Sequence, residues 1–382
     1  MPLDAPGEKE RYDLLVAGAG PVGCVIAERA ASQLGWKVLL IDKRDHLAGN
    51  CYDRHHDSGV LIHQYGPHYF RTNKQDLLDY LSQFTEWIPG NYKVKSSVRG
   101  ALFPFPINLD TLRQFFKKPE MTAEAAEQLL ESLREPIGQP ANSEEFVLSR
   151  VGRELYEAFY LGYTLKQWNI HPRDLAPSVC GRIPVRLNTD DRYVDHKFQV
   201  TPAKGFTELF SRMVAHPGIE VRLDTDFQQI KHTVSPRVAT VYTGPVDEYF
   251  DRCFGKLPWR SLEFEFREVA KEYEQPCVQI NYPNEFDYTR TVEIKHVTGQ
   301  QHPHTVISYE RPRAEGDPYY PIPRDDNQAL YERYRELAAA ETAQRHVYFC
   351  GRLAEYKYYN TDEVIERALL TFNMLKERYG NK

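Results

Sequence analysis

Gly18, Gly20 and Gly23 stand at G-x-G-x-x-G spacing, directly after an apolar run at 13–17 and before a helix-forming stretch at 24–34. Gly35 stops that helix, and Asp42 closes a second apolar run at 37–41. Strand, glycine turn, helix and strand in this order make a βαβ unit of the dinucleotide-binding kind. Gly18 permits the tight turn, Gly20 lets backbone approach a pyrophosphate, and Gly23 lets the helix pack close to the strand. The helix N-terminus offers free N–H groups and partial positive charge to that anion. Asp42 is placed to accept from a ribose hydroxyl, which suits a flavin or a nicotinamide dinucleotide.

Other residues could do chemistry further on. Gly49-Asn50, after Lys43, would bring backbone near a bound dinucleotide. The Gly66-Pro67 turn could aim His68 inward, although an isolated histidine is more often structural. The stretch 167–188 is rich in Pro, Gly and Arg, and carries Arg182 and Arg186. Ordered loops of such length are usually lids or binding loops. Ahead of it come Tyr156, Tyr160, Tyr163 and Trp168, rings suited to nucleotides and sugars but equally to half-buried packing.

Composition narrows the partners. A net charge of −6 argues against nucleic acid or an anionic membrane, so an anionic substrate must be met by local arginines. Six scattered cysteines without C-x-x-C suit reduced thiols better than disulfides or zinc, so no metal site is expected. The polar start, MPLDAPGEKER, shows no signal peptide, and no apolar run reaches membrane-spanning length. The expected location is the cytoplasm.

These residues need elements to hold them. Helices are expected at 74–84, 110–116, 122–134 (Thr122 as N-cap), 142–163 (Asn142 and Glu145 as a capping box), 207–215, 327–340 and 361–379. A hairpin is expected at 93–98 and 101–105 around Arg99-Gly100, with Pro104 and Pro106 ending strand character. Strands at 219–223, 237–243 and 346–350 fit the first domain. Those at 261–266 (an edge pattern), 277–282, 288–296 and 305–310 arrive without helices between them and imply a separate antiparallel sheet. The fold class is therefore α/β: a discontinuous Rossmann-like dinucleotide-binding domain, which the resemblance described next makes an FAD-binding domain, with an inserted helical domain and an antiparallel β-sheet domain. The expected bounds are 1–77, 202–245 and 340–382 for the first; 107–180, with mobile loop 167–188, for the second; and 78–106, 181–201 and 246–339 for the third.

Several motifs in one order resemble the bacterial UDP-galactopyranose mutase family over nearly the whole chain. They are GPHYFRT at 66–72, ELYEAFYLGYTLKQW at 154–168, RIPVR at 182–186, YTR at 288–290, PYYPI at 318–322, and GRL at 351–353 with the tyrosines that follow. The resemblance implies an FAD protein, a homodimer, that interconverts UDP-galactopyranose and UDP-galactofuranose for cell-surface glycans with no net redox change. In that family N5 of the reduced flavin attacks the anomeric carbon, and the sugar opens as an iminium and recloses.

The resemblance also implies site residues. Arg182 and Arg290 match the diphosphate arginines, fixed positive donors for charge left on UDP. Phe159 and Tyr163 match uracil-binding positions, while Thr164, Trp168 and Asn281 match neighbours of the nucleotide-sugar. Tyr193, Tyr320 and Tyr358 match tyrosines that bond the diphosphate. His68 and Arg352 match residues beside the flavin. Three departures stand out: Ala48 where relatives have glycine, Arg71 where some have a second histidine, and Asn360 where some have aspartate. The rival readings are an FAD-dependent oxidase of amine-oxidase type, which needs no arginine pair, a non-catalytic nucleotide sensor, and an NAD enzyme.

Overall fold

The computed structural model describes residues 11–380; the polar N-terminal stretch read above lies almost wholly outside them. A five-stranded sheet forms the base, in the order Ile219–Arg222, Val38–Ile41, Leu14–Ala17, Ala239–Tyr242, Val347–Phe349. All its pairs are parallel, with Leu14 opposite both Val38 and Ala239. Its three central strands are buried throughout, as expected of a parallel sheet covered on both faces. The chain leaves this sheet after Tyr242 and returns at Val347, so the unit is discontinuous.

Helix Pro21–Leu34 follows the first strand. Pro21 presets its first turn, and Gly35 ends it in the left-handed conformation (φ 65°). It packs with the final helix, Thr361–Tyr379, through Val25, Ile26, Phe372 and Leu375 in one apolar core.

A seven-stranded sheet runs Tyr320–Pro321, Trp259–Val269, Thr305–Arg313, Arg290–Val292, Gln279–Asn281, Val94–Val98, Ala101–Phe105. It is not purely antiparallel, because Gln279–Asn281 runs parallel to Val94–Val98. Pro104 does not end a strand: it lies inside the outermost one, where a missing N–H costs no ladder bond. Regular pairing in the expected strand 288–296 is limited to Arg290–Val292, after which Lys295–Thr298 makes a helical turn. A small third sheet, Phe70–Thr72, Phe198–Pro202 and Trp87–Pro89, links the two.

The helix expected over 142–163 is interrupted. Asn142 caps its start by accepting from the Glu145 N–H, but the Glu145 carboxylate reaches back to Ala141 rather than to Asn142. Gly152 takes φ 76°, ψ 177°; a Cβ there would lie 2.2 Å from the Leu133 carbonyl oxygen, so the kink lets two helices touch. A wider π turn, Glu157–Leu161, then leads into Gly162–Trp168. Such turns often re-aim side chains at functional positions.

Candidate active site

Two glycine turns face each other across the mouth of the parallel sheet. Gly49 (φ 53°) approaches so closely that a Cβ on it would lie 2.9 Å from the Gly20 Cα. A Cβ on Gly18 (φ 113°) would lie 1.9 Å from Thr243 Oγ1, and one on Gly23 would lie 1.8 Å from the Gly18 carbonyl oxygen. The helix between them starts without a side-chain cap, so its first-turn N–H groups are left for a ligand. Ala48 holds φ 71° in this turn, a conformation that glycine takes without cost.

Asp42 is fixed by two backbone donors, Ala19 N–H at 2.7 Å and Arg44 N–H at 2.9 Å. Arg44, unremarked in the sequence, donates to Asn50 (3.0 Å) and pairs with Asp317 (2.8 Å). A cleft of about 1360 Å³, open solvent at its mouth included, runs from Thr225, Phe227, Gln228 and Glu248 past Gly18, Gly20, Lys43, Gly49 and Asn50 to His68, Arg352 and Asn360. The first four of these carry no local sequence signal, because they come from a loop and two short helical turns far along the chain. The glycine cradle, the uncapped helix and the fixed carboxylate fit an adenine dinucleotide.

His68 stands at the far end of the cleft. Its Nδ1 donates to the Gly66 carbonyl at 2.9 Å, and its backbone N–H donates to His63 Nδ1 at 3.0 Å. Burial pushes both imidazoles down to about 3, so His68 is neutral and presents the Nε2 lone pair. His63 Nε2 lies 3.9 Å from Asp53, too far for a hydrogen bond. Burial raises Asp53 and depresses His63, so the contact is not an ion pair. A histidine buried neutral makes stability fall with acid, because only the unfolded chain takes up the proton below about 6.5. Urea unfolding is therefore expected to lose up to about 1.4 kcal/mol per pH unit to His63 between about 6.5 and its folded value. A His63→Asn variant should show a correspondingly flatter loss between pH 7 and 5; an unchanged slope rules out this assignment.

Beyond His68 and Arg352 the cleft meets a cluster of arginines and tyrosines. The guanidinium carbons of Arg352 and Arg182 lie 4.9 and 5.4 Å from the Tyr358 ring centre. Tyr320 stacks on Tyr358 at 5.9 Å, and Trp168 meets Tyr320 edge-on at 6.2 Å. Arg290 donates to Glu310 at 2.6 Å. Among the described residues no carboxylate pairs with Arg182 or Arg352. Burial would raise the Tyr358 phenol, but Arg182, Arg352, Arg71 and Arg290 outweigh it and draw the phenol below its ordinary value. Such a surplus of positive charge is a site for an anion.

The other expected residues divide. Tyr163 is half-buried near Arg290, and burial lifts its phenol to about 12. Tyr193 meets Tyr92 at 6.1 Å. Asn281 lies opposite Arg290, and its Oδ1 accepts from Gln279 (2.7 Å), which leaves its amide N–H groups to donate. Phe159 and Thr164 do not reach the cluster's surface. The Phe159 ring packs among Phe103, Phe105 and Phe115, and the Thr164 hydroxyl faces Cys180. Arg186 is a staple of the long loop, bonded to Asp195 and the Arg192 carbonyl. The two departures at 71 and 360 meet: Arg71 donates to Asn360 at 2.6 Å. Glu310, fully buried beneath Arg290, was not anticipated, since nothing in its strand marks it.

Comparison with known proteins agrees with this geometry. The UDP-galactopyranose mutase family model matches residues 158–358, and an NAD(P)-binding Rossmann-like domain model matches 16–84. A probable UDP-galactopyranose mutase of Klebsiella pneumoniae is 38% identical, covering 97% of this chain and 96% of that one. A dTDP-fucopyranose mutase of Escherichia coli is 34% identical, covering 93% and 96%. A crystal structure of reduced UDP-galactopyranose mutase superposes with a TM-score of 0.69 at 15% identity, covering 97% and 96%. A redesigned putrescine oxidase reaches 0.56 at 11%, which reflects the shared fold. Among the described residues no helix is long and apolar enough to cross a membrane. With a Rossmann-like sheet, an arginine cluster carrying a surplus of positive charge and a relative 38% identical over 97% of this chain, the chain belongs to the UDP-galactopyranose mutase family.

Proposed function

We propose that the chain is an FAD-dependent isomerase that interconverts UDP-galactopyranose and UDP-galactofuranose. The observation that carries this reading is the convergence of Arg182, Arg290 and Arg352 on Tyr358 at the end of the cleft lined by the glycine turns. When bound and reduced, FAD supplies the nucleophile for the anomeric carbon. Gly18, Gly20, Gly49 and Asn50 hold its pyrophosphate region, with Asp42 and Lys43 toward the ribose and His68 and Arg352 toward the ring.

The chain's own groups then do electrostatic work. Arg182 and Arg290 grip the diphosphate and stabilise the charge that UDP carries when the glycosyl bond breaks. Tyr193, Tyr320 and Tyr358 add hydroxyl donors, and Tyr163 and Trp168 offer ring faces to the base. The segment 167–188, bearing Arg182, closes over substrate and excludes water. The three-domain division given above, a homodimer and a cytoplasmic setting belong to the same reading.

The test is to incubate the flavin-loaded protein with UDP-galactofuranose, with and without dithionite, and to follow UDP-galactopyranose by chromatography. Conversion in the reduced sample alone is expected. No conversion of either this substrate or the dTDP-fucose of the parallel arm, with flavin bound and reducible, overturns the reading in favour of an oxidase. A parallel arm with dTDP-fucose decides between the two substrate types found among the relatives.

A further inference from the structure

The Lys166 ammonium stands among four backbone carbonyls of a single loop. Its three N–H groups are shared among the carbonyls of Tyr282, and of Glu285, Phe286 and Tyr288 at 3.0, 3.4 and 3.1 Å, the contact to Phe286 being the weakest. That loop joins strands Gln279–Asn281 and Arg290–Val292, and so carries Asn281 and Arg290 at its two ends. Lys166 itself lies on helix Gly162–Trp168, between Tyr163 and Trp168. One cation therefore ties the helix that bears the ring faces to the hairpin that bears the diphosphate arginine.

The loop is shaped around this cation. Phe286 holds a left-handed backbone (φ 60°), unfavourable for a bulky residue, although the residue is 61% exposed. The turned Phe286 carbonyl faces Lys166 at 3.4 Å, and the ring is held by stacking on Tyr288 at 4.9 Å and an edge contact with Tyr282 at 5.3 Å. Helix and loop also touch directly. A Cβ on Gly162 would lie 2.4 Å from the Pro283 carbonyl oxygen, and Asn284 donates to the Ala158 carbonyl at 3.0 Å. The far end of the helix is held by Arg260, which donates to the Gln167 carbonyl at 2.9 Å and lies opposite Tyr320 in the sheet. Burial lowers the Lys166 ammonium to about 8, with Glu285 and Asp287 pulling the other way, so it stays charged at neutral pH.

We propose that Lys166 is a positioning residue: without touching the ligand, it sets the spacing between the Tyr163–Trp168 face and the Asn281–Arg290 face of the nucleotide-sugar site. The identity of the ligand rests on the proposed function. A staple of purely structural value predicts lower stability with unchanged affinity per folded molecule, whereas a positioning role predicts lost affinity in a folded, flavin-loaded protein.

The experiment titrates UDP by calorimetry into flavin-loaded wild type, Lys166→Met and Lys166→Arg, and measures amide hydrogen exchange across residues 282–289. Lys166→Met is expected to weaken UDP binding about tenfold or more, given what small misplacements of binding groups cost, and to raise exchange in that loop while flavin content stays full. Lys166→Arg restores the charge but not the compact donor, so it should recover part of the loss. Wild-type UDP affinity in Lys166→Met overturns the proposal, whether or not exchange rises. If Lys166→Met does not fold, Lys166→Gln, which keeps N–H donors without the charge, carries the same comparison. A wild type that fails to bind UDP overturns the proposed function, and the positioning role falls with it; that outcome is recognised because the unmutated arm fails.

Discussion

Arg290→Ala is expected to lose both turnover and stability, whereas Arg182→Ala loses turnover alone. The two arginines are held differently. Arg290 donates to Glu310, a carboxylate with no exposed surface whose second oxygen has no partner. Removing the guanidinium leaves a buried carboxylate uncompensated, at a cost of about 3–5 kcal/mol. Burial already raises Glu310 against the pull of Arg290, and without Arg290 it rises further. A carboxyl raised in the folded state binds its proton more readily folded than unfolded. Its protonated form therefore supports folding at low pH, and the support is lost as pH climbs. Arg290→Ala should thus be more stable at pH 5 than at pH 8 relative to wild type, and Arg290→Ala with Glu310→Gln should recover folding but not turnover. Arg182 is exposed and makes no ion pair among the described residues, so its loss should change stability by no more than about 0.5 kcal/mol. Each single change should lower kcat/KM by about 10²–10³-fold, the usual cost of one donor to developing negative charge. Urea unfolding and kcat/KM on the same preparations decide this; an active Arg182→Ala enzyme refutes the assigned role.

Gly20→Ala and Gly23→Ala should part company in a second test. A Cβ on Gly23 meets the Gly18 carbonyl oxygen at 1.8 Å and Val16 at 3.2 Å, and backbone there has nowhere to go. Helix and strand must separate, which costs upward of about 1–3 kcal/mol for an overpacked core, and Gly23→Ala is expected to be unstable and colourless. Gly20 has an ordinary extended backbone (φ −76°), and a Cβ there finds nothing nearer than the Gly49 Cα at 3.7 Å. Gly20→Ala should therefore fold with a near-normal melting temperature. It should still lose flavin, because the added methyl occupies the space in which a pyrophosphate approaches the helix N-terminus. Thermal melts followed by circular dichroism, alongside the flavin absorbance of the purified variants, separate the two cases. A Gly20→Ala protein with full flavin content contradicts the placement of the cofactor.

The contrast shows which levels of structure the chain spells out locally. The βαβ unit was readable because each of its parts has a short-range cause: the apolar strands, Pro21 and Gly35 at the helix ends, and the three glycines. The final helix, Thr361–Tyr379, was readable for the same reason, with Asn360 and Glu363 closing a capping box. Arg182, Arg290, Arg352 and the tyrosines could be named from motifs, but their meeting around one ring could not, since they come from a loop, a hairpin and a turn far apart in sequence. The break at Gly152 depends on the approach of Leu133, and the parallel pairing of Gln279–Asn281 with Val94–Val98 depends on a partner almost two hundred residues away. Helical spacing puts Phe159 on the buried face of its stretch and Tyr163 beyond it, and the structure buries the first among phenylalanines and leaves the second half-buried beside Arg290. Glu310 under Arg290, Arg44 on Asn50 and Lys166 in its nest of carbonyls gave no local signal. What the sequence alone determined is the chemistry it carries and the elements that nearest neighbours dictate; burial, charge pairing and the facing of one element on another arise only when distant segments share the same low-dielectric space, and the tertiary structure decided those.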